Sequence, residues 1–227
     1  MSEDARSNGT LPGPTGRGSP RIISVGGGPG GAGKSLLTVN LGVYLAQLGR
    51  SVIVADVDPA GSGLHTMLGL DPPARPTPDA ADESAELKDD PIPTAIPGLV
   101  LMPPVYDPGG ALLRSGKKAK WLGNVRELRA DYVLLDLGGG ISPATLDLFL
   151  ASDVGLCVTV PEPPAIEATY RFMRALFLRQ LRNTLTKERY KLRLVERAIQ
   201  GLPSLPSPVD IVAAVRRFDR ALADTAA

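Results

Sequence analysis

The sequence is poor in side chains that do chemistry on their own. It holds one cysteine, one histidine and one tryptophan in 227 residues, and aromatics make up 4%. A single cysteine, Cys157, makes no CxxC metal site and no intrachain disulfide. It sits in the apolar run Val154 to Val160, which predicts a buried, inert thiol in a reducing cytosol. His65 has no evident metal or catalytic partners near it in sequence, so it reads as a half-buried packing residue. Charge of one sign is lacking too. There are 25 Lys and Arg against 24 Asp and Glu, a net charge of +1 that advertises neither nucleic acid nor membrane. No apolar run approaches the length of a membrane span. Residues 1–20 are rich in Gly, Pro and Ser without an apolar h-region. They predict a disordered tail, no signal peptide and a soluble, cytoplasmic chain.

What is present is a globular composition, 43% apolar and 22% charged, in a length that suits one domain with an appendage. Apolar runs alternate with segments of helical period. That argues for βαβ units, an α/β class and a mainly parallel, twisted sheet. The strands are expected at 21–26, 51–56, 98–102, 131–136 and 154–160. The helices are expected at 34–48, 114–129, 143–151 and 165–185. The remainder to Ala227 reads as helical with a break at 201–208. Residues 71–97 are rich in Pro, Asp and Glu and predict a long exposed loop without regular structure. The division is a tail over 1–20, an α/β domain over 21–200 and a C-terminal helical segment over 201–227.

Between the first strand and the first helix lies Gly28-Pro29-Gly30-Gly31-Ala32-Gly33-Lys34-Ser35, with Leu36 continuing into the helix. It fits G-x-x-x-x-G-K-[ST] in the strand–loop–helix context that a phosphate-binding loop needs. Glycines let the backbone curl around an anion so that several N–H groups face it. The helix N-terminus adds its positive dipole end. Lys34 is expected on the β- and γ-phosphates and Ser35 on Mg²⁺. An ordinary glycine-rich turn would not need the strand and the helix on either side.

Acidic residues complete the pattern. Asp136 ends the strand Val133-Leu134-Leu135, where a carboxylate holds Mg²⁺ through its water shell, and Gly138-Gly139-Gly140 leaves room for the backbone to approach a ligand. Asp56 and Asp58 close the second strand and point the same way on an extended chain. One such carboxylate can orient an attacking water. An Asp-Pro turn at Asp58-Pro59 is the alternative.

Weaker signals have bland readings beside them. Lys117, Lys118, Lys120 and Trp121 are expected on a surface helix with a solvated face, with a surface for nucleic acid or an acidic partner as the alternative. Residues 171–197 interleave Arg and Lys with Phe172, Leu176, Phe177, Leu181 and Leu185. They read as an amphipathic helix packed on the sheet, with a DNA or anionic-lipid surface as the alternative. Ile211, Val212, Val215, Phe218 and Leu222 make a second apolar stripe, expected in a core-packing or partner-binding helix.

Together these residues resemble the MinD/ParA branch of deviant P-loop ATPases, within it the FlhG/FleN-like regulators of polar flagellum number. The resemblance spans about Arg21 to Ala175. It rests on Val25-Gly26-Gly27-Gly28 with the loop, Asn40-Leu41-Gly42, Asp56-Val57-Asp58, Leu64-His65-Thr66-Met67-Leu68-Gly69, the run Asp131 to Ser142, Pro161-Glu162-Pro163 and Tyr170-Arg171-Phe172. It implies a P-loop three-layer sandwich that binds ATP and Mg²⁺, forms an ATP-dependent homodimer and hydrolyses slowly as a spatial switch. It also implies a protein partner and peripheral association with the inner face of the membrane, and it leaves nucleic acid open. Carried onto this chain, Lys34 and Ser35 hold triphosphate and metal, Lys34 and Asp58 are the catalytic pair with Asp58 positioning water, Asp136 stands at the Walker B position, and Asp58 joins Ser35 and Asp136 at the metal. Two features depart from it. Pro29 occupies the place of a signature lysine that crosses the dimer, and proline has neither a cation nor an N–H. The further strands that the family carries after the long helix have no counterpart here. A degenerate nucleotide-binding scaffold is therefore the second expectation. A P-loop ligase or kinase acting on a small molecule is the third.

Overall fold

The apolar runs of the sequence line up side by side in the computed structural model. It describes residues 18–57, 63–71, 91–102, 115–203 and 206–218, with backbone only at 115–120 and 218. The strands are β1 (Arg21–Gly26), β2 (Val52–Asp56), β3 (Ile92–Pro93), β4 (Leu99–Met102), β5 (Tyr132–Asp136) and β6 (Val154–Cys157). They form one six-stranded sheet in the order β3-β4-β2-β5-β1-β6. Every pairing is parallel except β3 with β4.

A sheet covered on both faces explains why β2, β4 and β5 are apolar without alternation. The period of two still sorts their side chains. Val52, Val54, Leu99, Leu101 and Leu134 pack under α1 (Lys34–Gln47) and α2 (Leu64–Met67). Ile53, Ala55, Val100, Met102, Val133 and Leu135 pack under α3 (Ser115–Glu127) and α4 (Pro143–Ala151). This is the expected α/β three-layer sandwich. Gly42 sets how closely α1 lies on the sheet, since a Cβ there would come within 2.9 Å of Val54. Trp121 corrects the surface reading of its helix. It is 3% exposed and, with Val125 one turn on, forms the apolar stripe by which α3 covers the sheet. The side chains of Lys117, Lys118 and Lys120 lie outside the described residues.

Side chains close the amino-terminal edge of the sheet. Ser51 donates from N (2.9 Å) and Oγ (3.2 Å) to Asp131, and Ile22 N donates to Asp153 at 2.8 Å. The carboxyl edge has no such closure at β1, where the chain turns straight into a glycine loop.

Four local expectations change. Ile92 and Pro93 pair with Leu101 and Val100, so the stretch 71–97 is not wholly irregular; Pro93 is tolerated because β3 is an edge strand. Residues 72–90 lie outside the described residues, as does the tail before Gly18. The short α2, around His65, was not expected. His65 itself is half-buried, in line with a packing role. β6 ends at Cys157 instead of Val160. The helix expected at 165–185 is α5 (Pro163–Thr184), whereas the basic stretch 171–197, read on one amphipathic helix, runs across α5 and a separate α6 (Arg189–Gln200), interrupted at 185–188. Thr184 and Thr186 there donate to the carbonyls of Gln180 (3.0 Å) and Arg182 (2.8 Å), a local pattern that competes with helix continuation.

The end of α5, α6 and α7 (Pro208–Phe218) share a core of their own. Leu181, Leu185, Val195, Ala198, Ile211, Ala214 and Val215 are all buried in it. The apolar stripe of α7 is thus core-packing, as the sequence suggested for Ile211, Val212 and Val215; Leu222 lies outside the described residues. A two-pronged ion pair, Arg179 Nε and a second guanidinium nitrogen to the Asp147 carboxylate at 2.7 Å each, joins α5 to α4. Hydrogen bonding to Asp147 holds the Arg179 guanidinium above its ordinary pKa.

Candidate phosphate-binding site

Parallel register brings four strand ends to one edge. Asp136 lies opposite Asp56 on one side and Val25 on the other, and Gly26 lies opposite Cys157. The ladder continues past the strands, with Val57 N donating to Asp136 O (3.0 Å) and Val158 N to Gly26 O (2.9 Å). From here β1 leads through α1 to β2, and β5 leads through α4 to β6, in opposite directions across the sheet. Such diverging connections open a crevice outside the carboxyl ends of the strands.

The loop 28–35 fills the floor of that crevice. Gly28 has φ +47°, and a Cβ on it would lie 2.4 Å from the Val158 carbonyl oxygen, so a side chain meets both strain and backbone. Gly33 has φ +88° and precedes α1 without any side-chain cap. The first amides of α1 therefore face outward for an acceptor. Lys34 is 6% exposed, and its Nζ donates 2.8 Å back to the Pro29 carbonyl, so the loop wraps around its own cation. Pro29 and Ser35 are half-buried, Ala32 is buried, and Gly30, Gly31 and Leu36 are exposed.

The loop after β5 touches the same place. A Cβ on Gly139 would sit 3.6 Å from Gly30 N and 3.7 Å from Lys34 Nζ. Asp136 is fully buried beneath it and Asp56 nearly so. Ser142 then caps α4, accepting from Thr145 N at 3.1 Å with Pro143 in the first turn, which fixes where that loop ends. The structure brings Gly28 to Leu36 and Asp136 to one edge. Asp58 lies outside the described residues.

These groups fit a phosphate chain with Mg²⁺. Outward amides and a lysine at an uncapped helix end suit anionic oxygen, and a hydroxyl with a carboxylate is the hard oxygen donor set that Mg²⁺ takes. Cys157 is a correction. It is exposed, not buried, because β6 is the edge strand. Its sulfur packs on Gly27, where a Cβ would come within 2.4 Å of it. Partial loss of solvent around the sulfur pushes the thiol pKa up, and the charge of Lys34 opposes it. Its position beside the loop was readable only once β6 was known to pair with β1.

Comparison with known proteins agrees with this geometry. Residues 23–222 match the CobQ/CobB/MinD/ParA nucleotide binding domain. The chain is 29% identical over 164 residues to the septum site-determining protein MinD of Synechocystis sp., covering 69% of this chain and 59% of that protein. It is 28% identical over 160 residues to the antiactivator FleN of Pseudomonas aeruginosa, covering 69% of this chain and 56% of that one. The chain thus spans a little over half the length of these relatives. MinD of Pyrococcus horikoshii, solved with Mg-ADP, superposes with a TM-score of 0.56 at 28% identity, over 69% of this chain and 64% of that one. The match runs over most of the sequence and includes every strand end that builds the crevice, and so the chain belongs to the CobQ/CobB/MinD/ParA family of nucleotide-binding domains.

Proposed function

We propose that this chain binds ATP with Mg²⁺ at the 28–35 loop, hydrolyses it slowly and uses the two nucleotide states as a positioning switch. The observation that carries the reading is Lys34, a buried lysine held inside a glycine loop at an uncapped helix N-terminus, with Asp136 ending the neighbouring strand. The relatives support the switch role by their names, since MinD is septum site-determining and FleN an antiactivator.

In this reading the amides of 30–36 and Lys34 hold the β- and γ-phosphates. Ser35 and Asp136 hold Mg²⁺, which supplies charge neutralisation to the phosphates when bound. Asp58 orients the attacking water. A homodimer formed across the nucleotides and a protein partner that reads the dimer follow from the same analogy, as does association with the inner face of a membrane. Among the described residues no helix is long and apolar enough to cross one.

Pro29 favours a second reading, a scaffold that binds nucleotide without turning it over. It offers no cation to a partner's phosphates, so transition-state charge stabilisation across a dimer is lost. Calorimetry of ATP binding with and without Mg²⁺, followed by phosphate release, separates the two. Lys34→Ala is expected to weaken ATP at least tenfold, because a charge-assisted contact is worth about 1.5–3 kcal/mol. Equal affinity in variant and parent overturns the binding site. Binding without turnover favours the scaffold, and in that case Pro29→Lys is expected to restore hydrolysis that rises with protein concentration.

A further inference from the structure

The near-neutral charge of this chain hides a separation. Residues 178–218 hold nine Arg and Lys against three Asp and Glu, whereas the whole chain holds 25 against 24. The excess cations belong to the helical unit. On α6, Arg189, Arg193 and Arg197 recur every fourth residue and all three are exposed. At 1.5 Å per residue they stand about 6 Å apart along one face. The core residues Val195 and Ala198 hold the opposite face. No carboxylate among the described residues pairs with these three arginines; the acids nearby are taken by Arg182, which meets Glu196, and by Lys191, which meets Glu188. Tyr190 lies on the flank of the same face, 74% exposed. Arg217 adds exposed charge on α7, which packs against α6.

We infer that this face of α6 binds single-stranded nucleic acid. A row of guanidinium groups about 6 Å apart matches a phosphate backbone that repeats at a similar pitch, and guanidinium is the side chain best suited to phosphate. The exposed Tyr190 ring beside the row gives an unpaired base a surface to stack on, which a duplex does not use. An anionic membrane fits less well. Insertion needs apolar side chains flanking the cations, and those of α6 and α7 are spent in the helical core, leaving Tyr190 and Val209 as the large apolar residues exposed there. The surface is separate from the phosphate loop, so its test does not depend on the nucleotide reading.

The test is fluorescence anisotropy of the full chain with a labelled single-stranded oligonucleotide across a salt series. The same oligonucleotide as a duplex and vesicles containing anionic lipid serve as rival probes. The expected result is salt-dependent binding of the single strand. The triple variant Arg189→Ala, Arg193→Ala, Arg197→Ala should lower the slope of log K against log salt by about 2. Tyr190→Ala should weaken the single strand about tenfold and leave the slope unchanged. Circular dichroism and the thermal melting curve, unchanged in both variants, show that the fold is intact. An unaltered salt slope in the triple variant overturns the assignment. So does tighter binding to vesicles than to the oligonucleotide, or equal binding of duplex and single strand with no effect of Tyr190→Ala.

Discussion

The sheet and the C-terminal helical unit bury apolar side chains equally well, yet they treat charge in opposite ways. At the carboxyl edge of the sheet Lys34, Asp56 and Asp136 are all buried. Within the helical unit no charged side chain is buried among the described residues, and its arginines other than Arg179 are exposed. Burying charge is costly unless something compensates it. The sheet accepts that cost where the backbone loop, the helix end and the opposed charges converge, which is also where a ligand with charge of its own would sit. The helical unit carries its charge on the outside at little cost, so its fold does not depend on what that charge binds. A substitution in the sheet should therefore move stability and ligand binding together. One in the helical unit should move them apart.

The largest effects are expected from a pair of core truncations. Leu134 of β5 and Ile211 of α7 are each fully buried, in different clusters. Leu134→Ala and Ile211→Ala should each cost about 2–5 kcal/mol, the range for such cavities. Leu134→Ala should lower the melting temperature and take nucleotide binding with it. Ile211→Ala should strip hydrogen-exchange protection from α6 and α7 while ATP affinity stays within twofold. A tenfold loss of ATP affinity in Ile211→Ala would show that the two cores are one cooperative unit.

Next in size is the loop itself. Gly28→Val places a branched side chain at φ +47° against the Val158 carbonyl. Strain of that kind is worth about 1–3 kcal/mol. The expected outcome is a loss of ATP affinity beyond tenfold, measured by calorimetry, with helical protection unchanged. Retained affinity would mean that the loop reshapes freely, contrary to the buried Lys34 geometry.

The joint between the regions comes third. Arg179 and Asp147 meet through two parallel hydrogen bonds and are largely shielded from solvent. Arg179→Ala leaves the Asp147 carboxylate without its fork, at a cost of about 1–2 kcal/mol. Exchange protection should fall at the contact of α4 with α5. Arg179→Lys should recover part of it, because a single ammonium replaces one prong of the fork.

The asymmetry also explains what the sequence made legible. The placement of the loop 28–35 and of Asp136 at one sheet edge was readable because it depends on local spacing: a strand, then glycines, then Lys-Ser opening a helix. The strands β1, β2, β4 and β5 were readable because burial on both faces leaves an uninterrupted apolar run. Trp121 was misjudged because the charges just before it suggested a solvated face, whereas the buried cluster it joins draws Val100 and Leu135 from other elements. Cys157 was misjudged because an apolar run does not say whether its strand is central or at an edge. The helical unit was least legible. Its core joins Leu181, Val195 and Ile211 across two turns, and no local period reports such contacts.

The smallest expected effect tests the start of α7, where the helical unit relies on local hydrogen bonds. Ser207 Oγ accepts from Asp210 N at 3.1 Å, and the Asp210 carboxylate accepts from Ser207 N at 2.9 Å and from its hydroxyl at 2.7 Å. This is a capping box with aspartate in the return position. The Ser207 hydroxyl, then its backbone N–H, hold the Asp210 carboxyl below its ordinary pKa. A lowered pKa contributes stability that is present above the unfolded value and is lost as pH falls through the folded one. Ser207→Ala should cost about 1 kcal/mol at neutral pH. The gap between parent and variant should then narrow on acidification below about pH 4, as Asp210 takes up its proton. Chemical denaturation of both proteins across pH measures this. A gap that stays constant down to pH 2 would show that the hydroxyl stabilises α7 without the carboxylate. Loss of ATP affinity in Ser207→Ala would contradict the independence of the two regions, since among the described residues nothing at this cap touches the carboxyl edge of the sheet.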